Sequence, residues 1–219
     1  MYIIIPAYNE EKNIGNVLAG LIAAQPEAKI VVVDDGSEDN TAGAARQVGA
    51  SVIRHIINRG QGAALATGTE YALDNGANFI VHFDADGQFE AKDVAVLIEP
   101  IKTGRAEVVL GSRFLSQANN IPFFKKYFIL AMARVVNFLF TGLWLSDAHN
   151  GLRAFSRRAA ENIKITQDRM AHNSEIVAQL KKSNLKFVEV PVTVKYHRYG
   201  QGFFGGLKII KDLILQKII

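Results

Sequence analysis

Apolar residues in the first half of the chain fall into two kinds of run. Short and nearly unbroken stretches occur at Tyr2–Ile5, Lys29–Val33, Ser51–Ile57, Phe79–Phe83 and Glu107–Leu110. Brief runs rich in Val and Ile, bounded by turn residues, predict strands buried on both faces. Between them the apolar positions change to helical spacing, with Ile14, Val17, Leu18, Leu21 and Ile22 recurring through Glu11–Gln25. Further helices are predicted over Thr41–Val48, Ala63–Asp74 and about Ala91–Lys102. Strands alternating with helices predict an α/β fold with a mostly parallel sheet and helices on both faces. Loops rich in Asp, Gly, Asn and Tyr follow three of the strands directly, so they gather on one edge of that sheet.

The second half changes character. Tyr127–Leu145 is long and apolar, with Arg134 and Asn137 its strongly polar members, and Lys125 and Lys126 precede it. A bilayer span, a buried core helix and a helix lying in a membrane interface all fit the length. A mid-span arginine costs about 2.5–3.5 kcal/mol on insertion scales. Lys126, Arg134, Asn137 and Thr141 also share one helical face, which favours the interface. Phe203–Ile219 repeats the pattern, with Phe203, Leu207, Ile210, Ile214 and Ile218 in one stripe and Lys208, Lys211, Asp212 and Gln216 opposite. It reads as a second interface helix or as a terminal helix docked on its own domain.

With 219 residues, 49% of them hydrophobic, the chain is long and apolar enough to bury one large core, and residues 1–219 are expected to form a single domain. The absence of cysteine excludes disulfides, a thiol nucleophile and a cysteine-based metal site. No secretion signal is read before the first strand. Charge is uneven: residues 1–120 hold 9 Lys and Arg against 15 Asp and Glu, and residues 121–219 hold 16 against 6. A basic, apolar rear half suits an anionic lipid surface. Nucleic acid is not an expected partner. The expected location is the cytoplasmic face of a membrane, peripheral or monotopic.

The stretch Phe79–Phe89 carries the most pointed chemistry. A buried strand ends there in Asp84 and Asp86, followed by Gly87 and Gln88. Oxygen ligands at the carboxyl end of a strand stand where open α/β sheets bind ligands. Hard divalent cations want such ligands and take substrate phosphates as the rest of their shell. His82, between apolar neighbours, reads as a core residue. Gly60-Gln-Gly62 is no dinucleotide loop, because it follows the third strand and Leu65 stands where a third glycine belongs.

Pro6-Ala-Tyr-Asn-Glu10, Val33-Asp-Asp-Gly-Ser37, Asp84-Ala-Asp86 with Gln88, Gly111-Ser-Arg113 and Asp147…Gly151-Leu-Arg153 occur in this order. In that set the chain resembles the family-2 glycosyltransferases, and among them the polyprenyl-phosphate enzymes of the dolichol-phosphate mannose synthase kind. The resemblance runs from Tyr2 to about Gly206. It implies a GT-A fold and inverting transfer of a hexose from a nucleotide sugar to a polyprenyl or dolichyl phosphate. It places Pro6, Tyr8, Glu10, Val33 and Asp35 at the nucleoside, with Asp84, Ala85, Asp86 and Arg113 completing the donor site. Asp84, Asp86 and Gln88 would hold Mg²⁺ or Mn²⁺, and the catalytic set would be Asp84, Asp86, Arg113 and Arg153. Arg153, Glu175 and Arg198 would lie toward the acceptor, although Glu175 serves equally as a helix-capping residue. A lipid phosphate is already an anion and needs no general base, so the lack of a Ser/His/Asp set is expected. One departure stands out: the family's Gly-x-Ser-Lys is here Gly200-Gln-Gly-Phe203, without the lysine, and Lys195, His197, Arg198 and Lys208 are the cations nearby. A lipid-surface binding module with a degenerate site is the competing expectation. A sugar nucleotidyltransferase is disfavoured because its glycine-rich amino-terminal loop is missing.

Overall fold

The structure, a computed structural model, describes residues 1–116, 131, 134, 135, 138, 142–147, 150–169 and 171–195. In chain order the elements are β1 (Tyr2–Ala7), α1 (Glu11–Ala24), β2 (Lys29–Asp34), α2 (Thr41–Gln47), β3 (Ser51–Arg54), α3 (Gln61–Asp74), β4 (Phe79–His82), α4 (Asp93–Lys102) and β5 (Val108–Ser112). The second half adds β6 (Arg153–Ser156), α5 (Arg157–Asn162), α6 (His172–Lys182) and β7 (Phe187–Pro191).

One sheet runs β3-β2-β1-β4-β6-β5-β7. All neighbours are parallel except β6, which is antiparallel to both β4 and β5. Side chains alternate across a strand, so β1 sends Ile3 and Ile5 to one face and Tyr2 and Ile4 to the other. The first face is covered by Ile14, Leu18 and Leu21 of α1 and by Val94, Leu97 and Ile98 of α4. The second is covered by Ala64 and Leu65 of α3, Ala159 of α5, and Ile176 and Leu180 of α6. Both faces are closed, as the continuous apolar runs require.

The antiparallel strand positions the site. Parallel strands β1, β2, β4 and β5 all end at one edge. Because β6 runs the other way, its first residue, Arg153, pairs with His82 at the end of β4 and with Leu110 near the end of β5. The segment leading into β6 is thereby brought to the edge where the acidic loops lie.

The predicted sheet and first four helices hold, with boundary changes. β3 stops at Arg54, and Ile56 and Ile57 stand out in a loop, Ile56 fully exposed. α3 starts two residues earlier than its apolar pattern suggests. The stretch 127–145 is not one helix: Ala131, Arg134, Val135 and Phe138 are helical, but Leu143, Trp144 and Leu145 are not. Among the described residues no helix is long and apolar enough to cross a membrane. The predicted helix Phe203–Ile219, with Arg198 and Lys208, lies outside the described residues.

Candidate active site

At the sheet edge the end of β4 meets the loops after β1, β2 and β5 and the turn before β6. Asp84 lies at the centre. Its Oδ1 accepts a 2.9 Å hydrogen bond from Gln61 Nε2, supplied by the first turn of α3. On its other side is Gly151, where a β-carbon would overlap Oδ2 and stand 2.9 Å from Oδ1. Glycine is therefore required by close approach of backbone to carboxylate. Burial and the neighbouring Asp86 push the Asp84 carboxyl up to about 7, against the pull of Arg153, Gln61 and Arg113. Asp86 accepts the backbone N–H of Gln88 at 2.9 Å. Glu10 joins this acidic mouth: burial raises its pKa, Asp86 and Asp39 add to the rise, and a hydrogen bond from Asn13 opposes it.

The donor-side residues of the sequence pattern divide into accessible and buried ones. Tyr8 is exposed at the rim. The loop behind it is stitched down, Asn9 N–H donating to Ser37 Oγ at 2.9 Å and Glu10 N–H to Thr41 Oγ1 at 2.8 Å. Pro6 and Val33 are register partners in β1 and β2, and Val33 and Ala85 are buried. Such residues can meet a ligand through backbone groups alone. Asp35 is also buried, and its carboxylate is taken up by His55 Nδ1 at 2.7 Å and by the N–H groups of Arg59 and Gly60 at 3.0 and 2.6 Å. It organises the loop after β3.

That loop is fixed from the other side as well. The Asp168 carbonyl accepts the Gly62 N–H at 2.8 Å, and β-carbons at Gly60 or Gly62 would collide with the carbonyls of Asp168 and Gln167. The start of α3 is thus filled by protein carbonyl. Carbonyl oxygens stand where a dinucleotide loop would present open N–H groups to a phosphate.

The expected cations are placed differently from one another. Arg113, just past β5, is gripped by Asp147: its Nε and Nη2 each lie 2.7 Å from a carboxylate oxygen, and its backbone N–H donates at 3.0 Å. Its side chain remains partly open to the cleft. Arg153 is only 2% exposed and donates to Asn173 Oδ1 at 2.7 Å. Burial pulls it down to about 10, with Asp84 and Asp147 opposing, so it stays charged at neutral pH. It lies beneath Asp84 and does not present a surface to an incoming lipid. Glu175 ties down the loop before α6, accepting from the backbone N–H groups of Thr166 and Gln167 and from the Thr166 hydroxyl. The helix N-terminus has no side-chain cap bond, so the expected capping role is not seen, and the carboxylate instead anchors the loop at residues 166–167. His82 is a core residue, pulled down to about 3 by burial, Arg153 and His172; its Nε2 meets Thr69 Oγ1 at 2.9 Å, while its buried Nδ1 has no hydrogen-bond partner among the described residues. Among the cations near the missing lysine, Lys195 lies against the loop after β4, its N–H on the Gln88 carbonyl at 2.8 Å and its ammonium on Glu90 at 2.9 Å.

Sequence patterns alone gave no role to Gln61, Gly151 or Asn173. Asp147 and Gly151 stand within the Asp147…Arg153 motif, and Gln61 within the Gly60-Gln-Gly62 loop. The nearest signal was the clustering of Asn, Arg, Gly and Gln after a strand.

Among the described residues no group of three or more His, Cys, Asp or Glu is arranged to hold an ion unaided. Glu10 and Asp84 are nevertheless both raised, first by burial and further by Asp86, which places three carboxylates at one edge. Such a donor set suits a hard divalent cation completed by oxygens of a bound anion.

The chain was compared with known proteins. It is 35% identical to a UDP-N-acetylglucosamine–dolichyl-phosphate N-acetylglucosaminyltransferase of Methanococcus voltae, covering 100% of this chain and 96% of that one. It is 28% identical to a polyprenol monophosphomannose synthase of Mycolicibacterium smegmatis, over 94% of this chain and 82% of that one. Its fold is similar to that of Mycobacterium tuberculosis glucosyl-3-phosphoglycerate synthase, solved with Mn²⁺, uridine diphosphate and glucosyl-3-phosphoglycerate. That likeness has a TM-score of 0.73 at 18% identity, over 97% of this chain and 78% of the other. The sequence profile described as Glycosyl transferase family 2 matches residues 2–164. Because that match takes in every strand from β1 to β6, and with them both carboxylates, Gly151 and both arginines of the cleft, the chain is a glycosyltransferase and belongs to glycosyl transferase family 2.

Proposed function

We propose that this glycosyltransferase moves a hexose unit from a nucleotide sugar to a polyprenyl or dolichyl phosphate at a membrane surface, with inversion and with Mg²⁺ or Mn²⁺. The observation that carries the reading is the acidic cleft of Asp84, Asp86 and Glu10 facing a fixed cation, Arg113. A cation would be held by Asp86, with Asp84 and Gln88 beside it, and would supply Lewis-acid stabilisation of the departing diphosphate. Tyr8 would cover the base at the rim, while the buried Asp35 shapes the loop on which the nucleoside rests. Arg113 would hold the acceptor phosphate, its planar fork suiting two oxygens at once. Fixing an anionic acceptor against the anomeric carbon is the main work asked of the protein, since no proton has to be removed. The acceptor class is supported by the names of the relatives from Methanococcus voltae and Mycolicibacterium smegmatis.

Ala131, Val135 and Phe138 are exposed and lie at helical spacing, and Trp144 is exposed beside them in an edge-on contact with Phe138. This apolar row supports contact with a membrane, and the basic excess after residue 120 favours an anionic one.

The decisive experiment pairs Asp86→Asn with wild type in Mn²⁺, in excess chelator and with several nucleotide sugars. Transfer to a short polyprenyl phosphate is expected in wild type with metal, and in neither the variant nor the chelated enzyme. Normal rates in chelator would end the metal assignment. Donor binding without transfer to any lipid phosphate would favour the binding-module reading.

A further inference from the structure

Glu189, in the middle of β7, lies outside the part of the chain matched to the family. Its carboxylate faces the turn at residues 146–147. Oε1 accepts from Ser146 N–H at 2.9 Å, from Ser146 Oγ at 2.7 Å and from Asp147 N–H at 3.1 Å, and Oε2 shares the Ser146 N–H at 3.0 Å. Ser146 Oγ also lies 2.6 Å from Ser112 Oγ, and Ser112 Oγ accepts the Phe114 N–H at 3.2 Å. Ser112, just before Arg113, is thus tied to the same turn, and Phe114, just after it, is tied to Ser112. Asp147, whose backbone points at Glu189, uses both side-chain oxygens on Arg113.

We infer that Glu189 is a positioning residue which, through the 146–147 turn, fixes the Asp147 carboxylate and with it the plane of the Arg113 guanidinium. The consequence for the acceptor rests on the role proposed for Arg113 above. Two consecutive N–H groups aimed at one carboxylate set the backbone of Asp147. From that backbone its side chain reaches Arg113, with Asn150 Nδ2 also on Oδ2 at 3.3 Å, and a guanidinium held at two points keeps its plane before a second anion arrives. Pre-ordering of this kind lowers what binding must spend on side-chain entropy. Without Glu189 the turn loses its acceptor, and Arg113 keeps its charge but not its orientation.

The test uses Glu189→Ala, Glu189→Gln, Arg113→Lys and the double variant Glu189→Ala/Arg113→Lys. Each is assayed in the full chain with nucleotide sugar and a short-chain polyprenyl phosphate. The Arg113 Nε–H is followed in parallel by ¹⁵N NMR, through its hydrogen-exchange protection. Glutamine can keep the three bonds made to Oε1 but sets an NH₂ donor against the Ser146 N–H that Oε2 shared, so Glu189→Gln is expected to lie between wild type and Glu189→Ala in both readouts. Glu189→Ala is expected to raise the acceptor KM about tenfold, as for disordering one charge-assisted contact. Donor KM should stay nearly unchanged, and Arg113 Nε–H should lose protection. In the double variant the acceptor KM should be no worse than in Arg113→Lys alone. Full protection of the Arg113 Nε–H in Glu189→Ala would overturn the inference, as would additive effects in the double variant. An unchanged acceptor KM in Arg113→Lys would instead overturn the acceptor role of Arg113, and the NMR result decides the positioning by itself.

Discussion

Replacing Gly151 by alanine perturbs the site at its narrowest point. The new β-carbon would overlap Asp84 Oδ2 and stand 2.9 Å from Oδ1 and 3.0 Å from Cγ, so the carboxylate has to give way. Ordinary carbon contacts are about 3.5 Å or longer, which sets the retreat at roughly 1 Å. The bond from Gln61, 2.9 Å in the native site, then stretches past hydrogen-bonding range. Losing a bond to an ionisable group costs about 1.5–3 kcal/mol. Removing a glycine from the unfolded chain returns about 0.4–1 kcal/mol, since the backbone at 151 does not have a positive φ. The net loss of about 0.5–2.5 kcal/mol lowers the melting temperature by about 1–10 °C for a chain of this size, leaving the protein folded at assay temperature. Activity should suffer far more, because a displacement of about 1 Å can cost about a hundredfold. Initial rates of transfer to a short polyprenyl phosphate, alongside thermal melts, test this. Gly15→Ala is the control, for its added carbon meets nothing within 4 Å. It should raise stability by about 0.5–1 kcal/mol and leave rates alone. A folded Gly151→Ala enzyme with near-native kcat/KM would refute the claim that the contact with Asp84 sets the working geometry.

The raised Asp84 carboxyl predicts a pH effect of definite sign. Its pKa is about 7 in the folded chain against 3.8 for an ordinary aspartate, so this group's contribution is fully present below about pH 4 and is lost as pH rises through 7. Melting curves in chelator should show that decline, and Asp84→Asn should flatten it; an unchanged slope in the variant would assign the decline elsewhere. Arg153→Ala removes a buried side chain and strands Asn173 Oδ1, so denaturant unfolding should report a loss of about 1–3 kcal/mol. A loss under 1 kcal/mol would contradict the buried placement. Trp144 is the single tryptophan and is 58% exposed, so its emission should shift to the blue on anionic vesicles and recover in high salt. No shift on any vesicle would remove this patch from the membrane.

What the sequence determined by itself was the framework that local physics dictates. Runs such as Ile3–Ile5 and Val31–Val33 are too apolar to face water and too short and β-branched to be helices, so β1 and β2 were readable. The spacing of Ile14, Leu18 and Leu21 likewise fixed the buried side of α1. Asp84 and Asp86 could be picked out because two carboxylates directly after a buried strand are costly without a ligand to justify them. β6 was not readable, because Arg153–Ser156 is four residues long and opens on a charge, and its burial comes only from lying between β4 and β5. That antiparallel insertion decided most of what distinguishes the site. It made Arg153, expected toward the acceptor, a buried charge opposite His82, and it pressed Gly151 against Asp84. Likewise Glu175 and Asp35 carry the charges a ligand would want, but the fold spends them on backbone N–H groups of nearby loops. Periodicity reports which face of an element is buried. Which residues meet across the sheet, over separations of dozens of positions, follows from the order and direction of the strands, and only the tertiary structure fixes those.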